Sequence, residues 1–131
     1  MDALLGRARS HAATLSAGLV LVSLAVSEVA WAHAFPDHSE PRVGHTIDAS
    51  PPEVRVWFDG AIEPVFSTIR VEDSGGQRVD RDDAHVDGSD ATLLAVTVPP
   101  LPAGAYQVVW SVVARDGHRT EGRFPFRIEP H

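Results

Sequence analysis

The run Ala105-Tyr106-Gln107-Val108-Val109-Trp110-Ser111-Val112-Val113-Ala114 is the longest β-prone stretch of the chain, and it decides the fold class. Valine and aromatic side chains fit a pleated, half-buried surface, so the run predicts a strand. A break at Arg115–Arg119 follows, and a last strand is predicted over Gly122–Ile128. Three apolar side chains alternate along that strand and share one face: Phe124, Phe126 and Ile128. Because Pro125 cannot donate to a sheet ladder, we expect this last strand to lie at a sheet edge.

Further strands are predicted upstream of this pair, each bounded by glycine, proline or aspartate. The segment from His33 to Pro41 is too rich in proline for a helix and predicts an edge strand that leads into a turn at Val43-Gly44. The other predicted strands are Val54–Phe58, a hairpin of Thr68–Asp73 with Gln77–Asp80, a short strand near His85–Val86, and Thr92–Val98. Short strands at regular spacing, with no helical period after residue 32, predict an all-β, immunoglobulin-like antiparallel sandwich or barrel of about seven strands.

The N-terminal segment has the features of a cleaved signal peptide. Two arginines precede an apolar run over Ala12–Val26, and small residues occupy positions −3 and −1 of a cleavage site after Ala32. The apolar run is shorter than the roughly 20 residues of a spanning helix, although an uncleaved anchor is an alternative. We therefore expect residues 1–32 to be a signal peptide and residues 33–131 to form one exported, periplasmic or secreted domain.

Composition excludes several classes of function. The formal net charge is −7 and the chain contains no lysine, which argues against a nucleic-acid partner because phosphate binding needs a basic surface. The chain also lacks cysteine, which excludes disulfides and blue-copper, iron–sulfur or cysteine-ligated zinc sites. The aspartates at 82–90 lack the order of a calcium-binding loop, so a solvated loop is the favoured interpretation.

Three residues are the candidate metal ligands: His33, Asp116 and His118. Cleavage after Ala32 would make His33 the first residue, which then offers a metal both its α-amine and its ring Nδ1. If Asp116–His118 is extended, its first and last side chains project to the same side and can bind one ion together. The alternative is a structural turn in which Asp116 accepts backbone N–H bonds. Three other histidines are expected to face solvent: His45, His85 and His131.

At these residues the sequence resembles the CopC family of copper-binding proteins. The resemblance covers residues 33–131, and its matching elements are His33-Ala34, Ser39-Glu40-Pro41, Val54–Phe58, Pro99–Tyr106 with Val108-Val109-Trp110, and Asp116-Gly117-His118 with Glu121-Gly122 and Phe124–Phe126. It implies a small Greek-key β fold that binds one Cu(II) per chain through His33, Asp116 and His118. The only methionine is Met1, so no Cu(I) site is expected. Gly60 stands where many relatives have a glutamate, which leaves open whether Glu63 or His38 assists the site.

The leading hypothesis is a non-enzymatic periplasmic protein that sequesters Cu(II) or delivers it, in copper resistance or homeostasis. Its partners would be the copper ion and an inner-membrane copper-transporting protein, and no membrane span is expected after signal cleavage. Two alternatives stay open at this point. One is a copper-dependent oxidase that uses an N-terminal histidine, and the other is an immunoglobulin-like interaction domain without a metal.

Overall fold

The computed structural model describes Gly18 and residues 34–131. The predicted signal peptide, apart from Gly18, and the predicted ligand His33 lie outside these described residues. Within them, no helix is long and apolar enough to cross a membrane.

Two four-stranded sheets pack face to face to form a β-sandwich, which confirms the predicted fold class. The described chain has eight strands, against the seven expected, together with one 3₁₀ turn at Pro64–Phe66. In chain order the strands are β1 Pro36–Glu40, β2 Thr46–Ile47, β3 Glu53–Phe58, β4 Thr68–Asp73, β5 His85–Val86, β6 Leu93–Thr97, β7 Gly104–Val113 and β8 Arg119–Ile128. One sheet has the order β1-β3-β6-β5, and the other has the order β2-β8-β7-β4.

The predicted edge strand at the N-terminus is confirmed as β1, which pairs with β3 at one edge of its sheet. In β3 the apolar side chains Val54, Val56 and Phe58 are all buried, as their alternation predicts. The short strand predicted near His85–Val86 is also present, as β5.

The predicted edge position of the last strand is only partly correct. β8 pairs with β7 along its whole length, and the two-residue strand β2 also pairs with its end, in parallel, at Arg127 and Ile128. Pro125 is tolerated because its carbonyl accepts from the Gly44 N–H at 2.7 Å, on the side away from β7. The nitrogen of a strand residue points to the same side as its carbonyl, so the missing N–H costs no bond to β7.

The predicted hairpin over Thr68–Asp80 is correct in its turn and wrong in its second strand. The chain reverses after β4, but residues 77–80 form no strand: they make an isolated bridge between Arg78 and Glu72. Two main-chain bonds accompany it, from Asp73 N–H to the Gln77 carbonyl at 2.9 Å and from Val79 N–H to the Val71 carbonyl at 2.8 Å. The Val71 N–H instead donates to Oδ2 of Asp80 at 2.8 Å. A side-chain carboxylate thus takes the place of a main-chain carbonyl along the open edge of β4, and it shields that edge from pairing with another chain.

The core lies between the two sheets and is built around aromatic contacts. Phe58 and Trp110 meet edge to face, with ring centroids 5.3 Å apart. Tyr106 stacks on Phe126, also at 5.3 Å, and its hydroxyl donates to the Pro102 carbonyl at 2.5 Å. This bond satisfies a buried phenol, and burial raises the pKa of Tyr106. With no disulfide available, this packing and the strand pairing hold the domain together.

Replacing Gly122 by alanine should destabilise the domain, because Gly122 lies directly against the indole of Trp110. A Cβ at this position would be 2.5 Å from Cζ2 of Trp110, so the ring or the strand must shift. Overpacking of this kind costs about 1–3 kcal/mol of unfolding free energy. Urea unfolding measures the change, and Gly88→Ala is the control because its added Cβ would meet nothing within 4 Å. Equal stability of the two variants would contradict the packing described.

Replacing Asp80 by asparagine should also destabilise the domain. The Asp80 side chain is 0% exposed, and it accepts from Val71 N, Asp82 N and Arg78 Nε. In asparagine an NH₂ group replaces one carboxylate oxygen, and it cannot accept from these donors. Losing hydrogen bonds to a charged group costs about 1.5–3 kcal/mol of unfolding free energy. Asp82→Asn is the control, since Asp82 pairs with the same arginine but its side chain is 82% exposed. Thermal unfolding should separate the two variants clearly, whereas matching midpoints would show that Asp80 does not support β4.

Candidate metal centre

A tight turn between β7 and β8 carries the Asp-x-His motif. The Gly117 N–H donates to the Ala114 carbonyl at 2.9 Å, and the Ala114 N–H donates to the His118 carbonyl at 2.9 Å. Gly117 adopts φ +88°, a conformation that residues with a Cβ rarely adopt. Asp116–His118 is therefore not extended, because the chain reverses direction within the motif, and the turn left open as the alternative is the conformation found.

The turn nevertheless brings the two predicted ligands together. Oδ2 of Asp116 lies 2.9 Å from Nδ1 of His118, and Oδ1 of Asp116 accepts from the His118 N–H at 3.0 Å. The carboxylate thus bonds both the backbone and the ring of one histidine. The carboxylate of Asp116 orders the turn and holds the imidazole of His118 beside it. This geometry is compatible both with a structural role for Asp116 and with its predicted role as a ligand.

Both side chains reach solvent at this end of the sandwich. The exposed fraction is 51% for the His118 side chain and 28% for that of Asp116. An ion can therefore approach them without any opening of the core. An imidazole nitrogen and a carboxylate oxygen are ligands that suit Cu(II), Zn(II) and other divalent first-row metals.

The start of the described chain lies close to this turn. The Thr120 hydroxyl, two residues beyond His118, donates to the carbonyl of Ala34 at 2.6 Å. On its other side, the Phe35 N–H donates to Oδ1 of Asp59 at 2.8 Å, and the Asp59 N–H donates to the Phe35 carbonyl at 2.8 Å. Two segments far apart in sequence, the one after residue 33 and the one after His118, thus meet through a bond from the Thr120 side chain to the main chain of Ala34.

The sequence interpretation missed both residues that hold this segment. Asp59 follows the end of β3, where an aspartate is common in a turn. Thr120 lies in β8 between Asp116-Gly117-His118 and Glu121-Gly122 but is part of neither element. Neither position carries a signal that distinguishes it from an ordinary polar residue. Their role depends on which strands are neighbours, and short-range patterns do not contain that information.

The structure also describes the other candidate residues, His38 and Glu63. His38 stacks on Trp57 with ring centroids 4.4 Å apart, and its Nδ1 lies 2.8 Å from Oδ2 of Asp37. The main-chain N–H of Glu63 donates to the Val113 carbonyl at 2.8 Å, which places its loop beside the end of β7. The three histidines predicted to face solvent are exposed: His45, His85 and His131.

Within residues 34–131, no three His, Asp or Glu side chains are arranged to hold a metal ion together. The described part of the chain therefore contains two of the three predicted ligands, Asp116 and His118. The third, His33, precedes the first residue of that part, Ala34, by one position.

Comparisons with known proteins show which family the chain belongs to. The family model for the CopC domain matches residues 37–129. The copper transport protein CutJ of Bacillus subtilis is 30% identical over 111 residues, which are 84% of this chain and 20% of that protein. The chain thus spans about a fifth of the length of CutJ. Protein YobA of Escherichia coli K12 is 28% identical over 111 residues, and the match covers 90% of its length.

Two solved structures share the fold over most of the described chain. CopC from Methylosinus trichosporium OB3b superimposes with a TM-score of 0.71 and 33% identity, over 76% of this chain and 96% of that one. PcoC, a methionine-rich copper resistance protein from Escherichia coli, gives a TM-score of 0.65 and 25% identity, over 75% and 100% of the two chains.

Proposed function

The chain belongs to the CopC domain family, and we propose on that basis that it is an exported Cu(II)-binding protein that sequesters copper or delivers it. In this proposal one Cu(II) is held by His33, Asp116 and His118. His33 contributes its α-amine and its imidazole once a signal peptide of residues 1–32 has been removed. The place of action is the periplasm or another space outside the cytoplasm.

The observation that carries the proposal is the anchoring of Ala34 beside the Asp-x-His turn. The Ala34 carbonyl is bonded to Thr120 at 2.6 Å, and Thr120 lies two residues from His118. Residue 33 is covalently joined to Ala34, and consecutive Cα atoms are about 3.8 Å apart, so the anchoring of Ala34 supports a role for the residue before it. In this proposal its amine joins Asp116 and His118 in one site.

The chemistry of this ligand set favours Cu(II). An amine, two imidazoles and a carboxylate supply three nitrogens and one oxygen, a combination suited to tetragonal coordination. Cu(II) also heads the affinity order of the divalent first-row metals for such a site. The chain has no cysteine, and its only methionine is Met1, so it lacks the sulfur ligands that Cu(I) prefers. This differs from PcoC, which is described as methionine-rich.

Asp116 can keep one of its present bonds while it binds a metal. A carboxylate has about four lone-pair positions, and Oδ1 needs only one of them for the His118 N–H. The bond between Oδ2 and Nδ1 of His118 holds the ring in place before the ion arrives. A site prepared in this way loses less conformational freedom on binding, which favours tight capture.

The proposed partner is a copper-transporting membrane protein. CutJ, a copper transport protein, is matched over only 20% of its length, so this domain is a small part of a much larger transport protein in that relative. The exposed ligands and the net charge of −7 also suit a protein that attracts a cation and passes it on. We propose no catalytic step for it, since the ligand set has no sulfur to stabilise reduced copper and leaves little room for a substrate.

Removal of either side-chain ligand should weaken Cu(II) binding strongly. We expect the processed protein to bind one Cu(II) with a d–d absorption band. Asp116→Ala and His118→Ala should each lower the affinity by more than about 100-fold, beyond the effect typical of residues outside the metal's ligand set. His85→Ala is the control, because this exposed histidine belongs to β5. Titration against a competing chelator measures the change, and unaltered affinity in His118→Ala would refute the proposed site.

The role of the terminal amine can be tested separately. Mass spectrometry of the exported protein should give a mass that begins at His33. One alanine inserted ahead of His33, with cleavage moved so that it becomes the first residue, separates the amine from the imidazole. Most of the Cu(II) affinity should then be lost, while one alanine added after His131 should change nothing. Equal affinities in the two variants would exclude a chelating N-terminal histidine.

A further inference from the structure

Residues 34 and 35 precede β1, yet both are held firmly at the boundary between the two sheets. Thr120 belongs to β8 in one sheet, and Asp59 directly follows β3 in the other. Thr120 bonds the Ala34 carbonyl, while Asp59 bonds both the N–H and the carbonyl of Phe35. We refer to Thr120 and Asp59 as the N-terminal clamp.

The strength of this anchoring is unusual for the start of a domain. Terminal residues are commonly poorly ordered unless they are tied down. Here Ala34 is 1% exposed and packs within the hydrophobic core. The first register pair of β1 joins Pro36 to Phe58, so the strand ladder alone does not account for the fixed position of Ala34.

The hydroxyl of Thr120 stands at a position where an apolar side chain would be expected. Thr120 lies opposite Val112, and alternation along β8 places it on the core-facing side with Gly122 and Phe124. A hydroxyl on that side costs free energy unless it has a partner, and its partner is the Ala34 carbonyl. Packing alone would be served equally well by valine, which has the same shape.

We propose that Thr120 and Asp59 are positioning residues that set the place and direction of the amine at residue 33 relative to Asp116 and His118. The proposal rests on the Cu(II) site proposed above. Neither residue binds the metal in it. Thr120 acts through Ala34, and Asp59 acts through Phe35, so that the ordering of the terminus is completed on folding and not on metal binding.

The proposed clamp predicts different effects for two pairs of substitutions, one at Thr120 and one at Asp59. Thr120→Val keeps the shape and removes the hydrogen bond, whereas Thr120→Ser keeps the hydroxyl. Asp59→Asn keeps an oxygen that can accept from the Phe35 N–H, whereas Asp59→Ala removes it. If the hydrogen bonds position the terminus, serine and asparagine should preserve the function, and valine and alanine should not.

The experiment measures three properties of the exported, processed protein: Cu(II) affinity, the electron paramagnetic resonance spectrum of bound Cu(II), and amide exchange at Phe35 without metal. Thr120→Val should lower the affinity by about tenfold, the lower end of the effect of residues that orient metal ligands. It should also alter the Cu(II) spectrum and speed exchange at Phe35. Thr120→Ser should match the native protein in all three, and Thr68→Val, on the exposed side of β4, is the control.

The outcomes separate the clamp from the copper site itself. Loss of affinity in His118→Ala, together with native affinity and spectrum in Thr120→Val, would overturn the clamp and leave the proposed function intact. Unchanged affinity in His118→Ala would overturn both. A weakened Thr120→Val that Thr120→Ser fails to restore would show that any change at this position disturbs the fold, and would also overturn the clamp. A native rate of amide exchange at Phe35 in both Thr120→Val and Asp59→Ala would also overturn the clamp.

Discussion

Register pairs join β7 to β8 without a break, from Gly104 opposite Ile128 to Val113 opposite Arg119. Because side chains alternate between faces, this one register decides which residues of both strands enter the core. A slip by one residue would turn Phe124 and Phe126 outward and break the contact of Trp110 with Gly122. In a chain without cysteine, no covalent bond could correct such a slip. The same register closes the hairpin at residues 115–118 and so places the Asp-x-His turn at one end of the sandwich.

Three segments converge at that end: the start of the domain, the residues after β3, and the turn between β7 and β8. Each is short. The side chains of Thr120 and Asp59 hold the main chain of Ala34 and Phe35, and main-chain bonds close the turn between β7 and β8. Loops that carry function on a rigid scaffold are a common arrangement in β-sandwiches. In this domain the arrangement brings segments from opposite ends of the described chain to the same end of the sandwich. In the proposed site, the amine and imidazole of His33 would complete the ligand set that Asp116 and His118 begin.

Alternation of apolar residues was sufficient to predict the strands, because a strand buried on one face has an apolar residue at every second position. This holds for β3 and for the core-facing side of β8. The edges of the sheets were harder, since they depend on interactions that leave no periodic trace. Asp80 replaces a strand carbonyl with its carboxylate, and the two residues of β2 are too few to form a pattern. Both features follow from the folded arrangement of neighbouring segments and not from local preference.

The Asp-x-His motif shows that residue types can indicate that two side chains meet without indicating the backbone path between them. An extended tripeptide would bring Asp116 and His118 to one side, and so does the turn found here, although through a different backbone path. In the turn, the bond from the His118 N–H to Asp116 orders the loop before any ion is present. The bond at Nδ1 holds the ring with its partner carboxylate. Copper binding at the proposed site would therefore start from side chains that the metal-free domain already holds together, and it could keep the bond from the His118 N–H to Asp116. Most of the ordering of these two side chains is thus completed during folding.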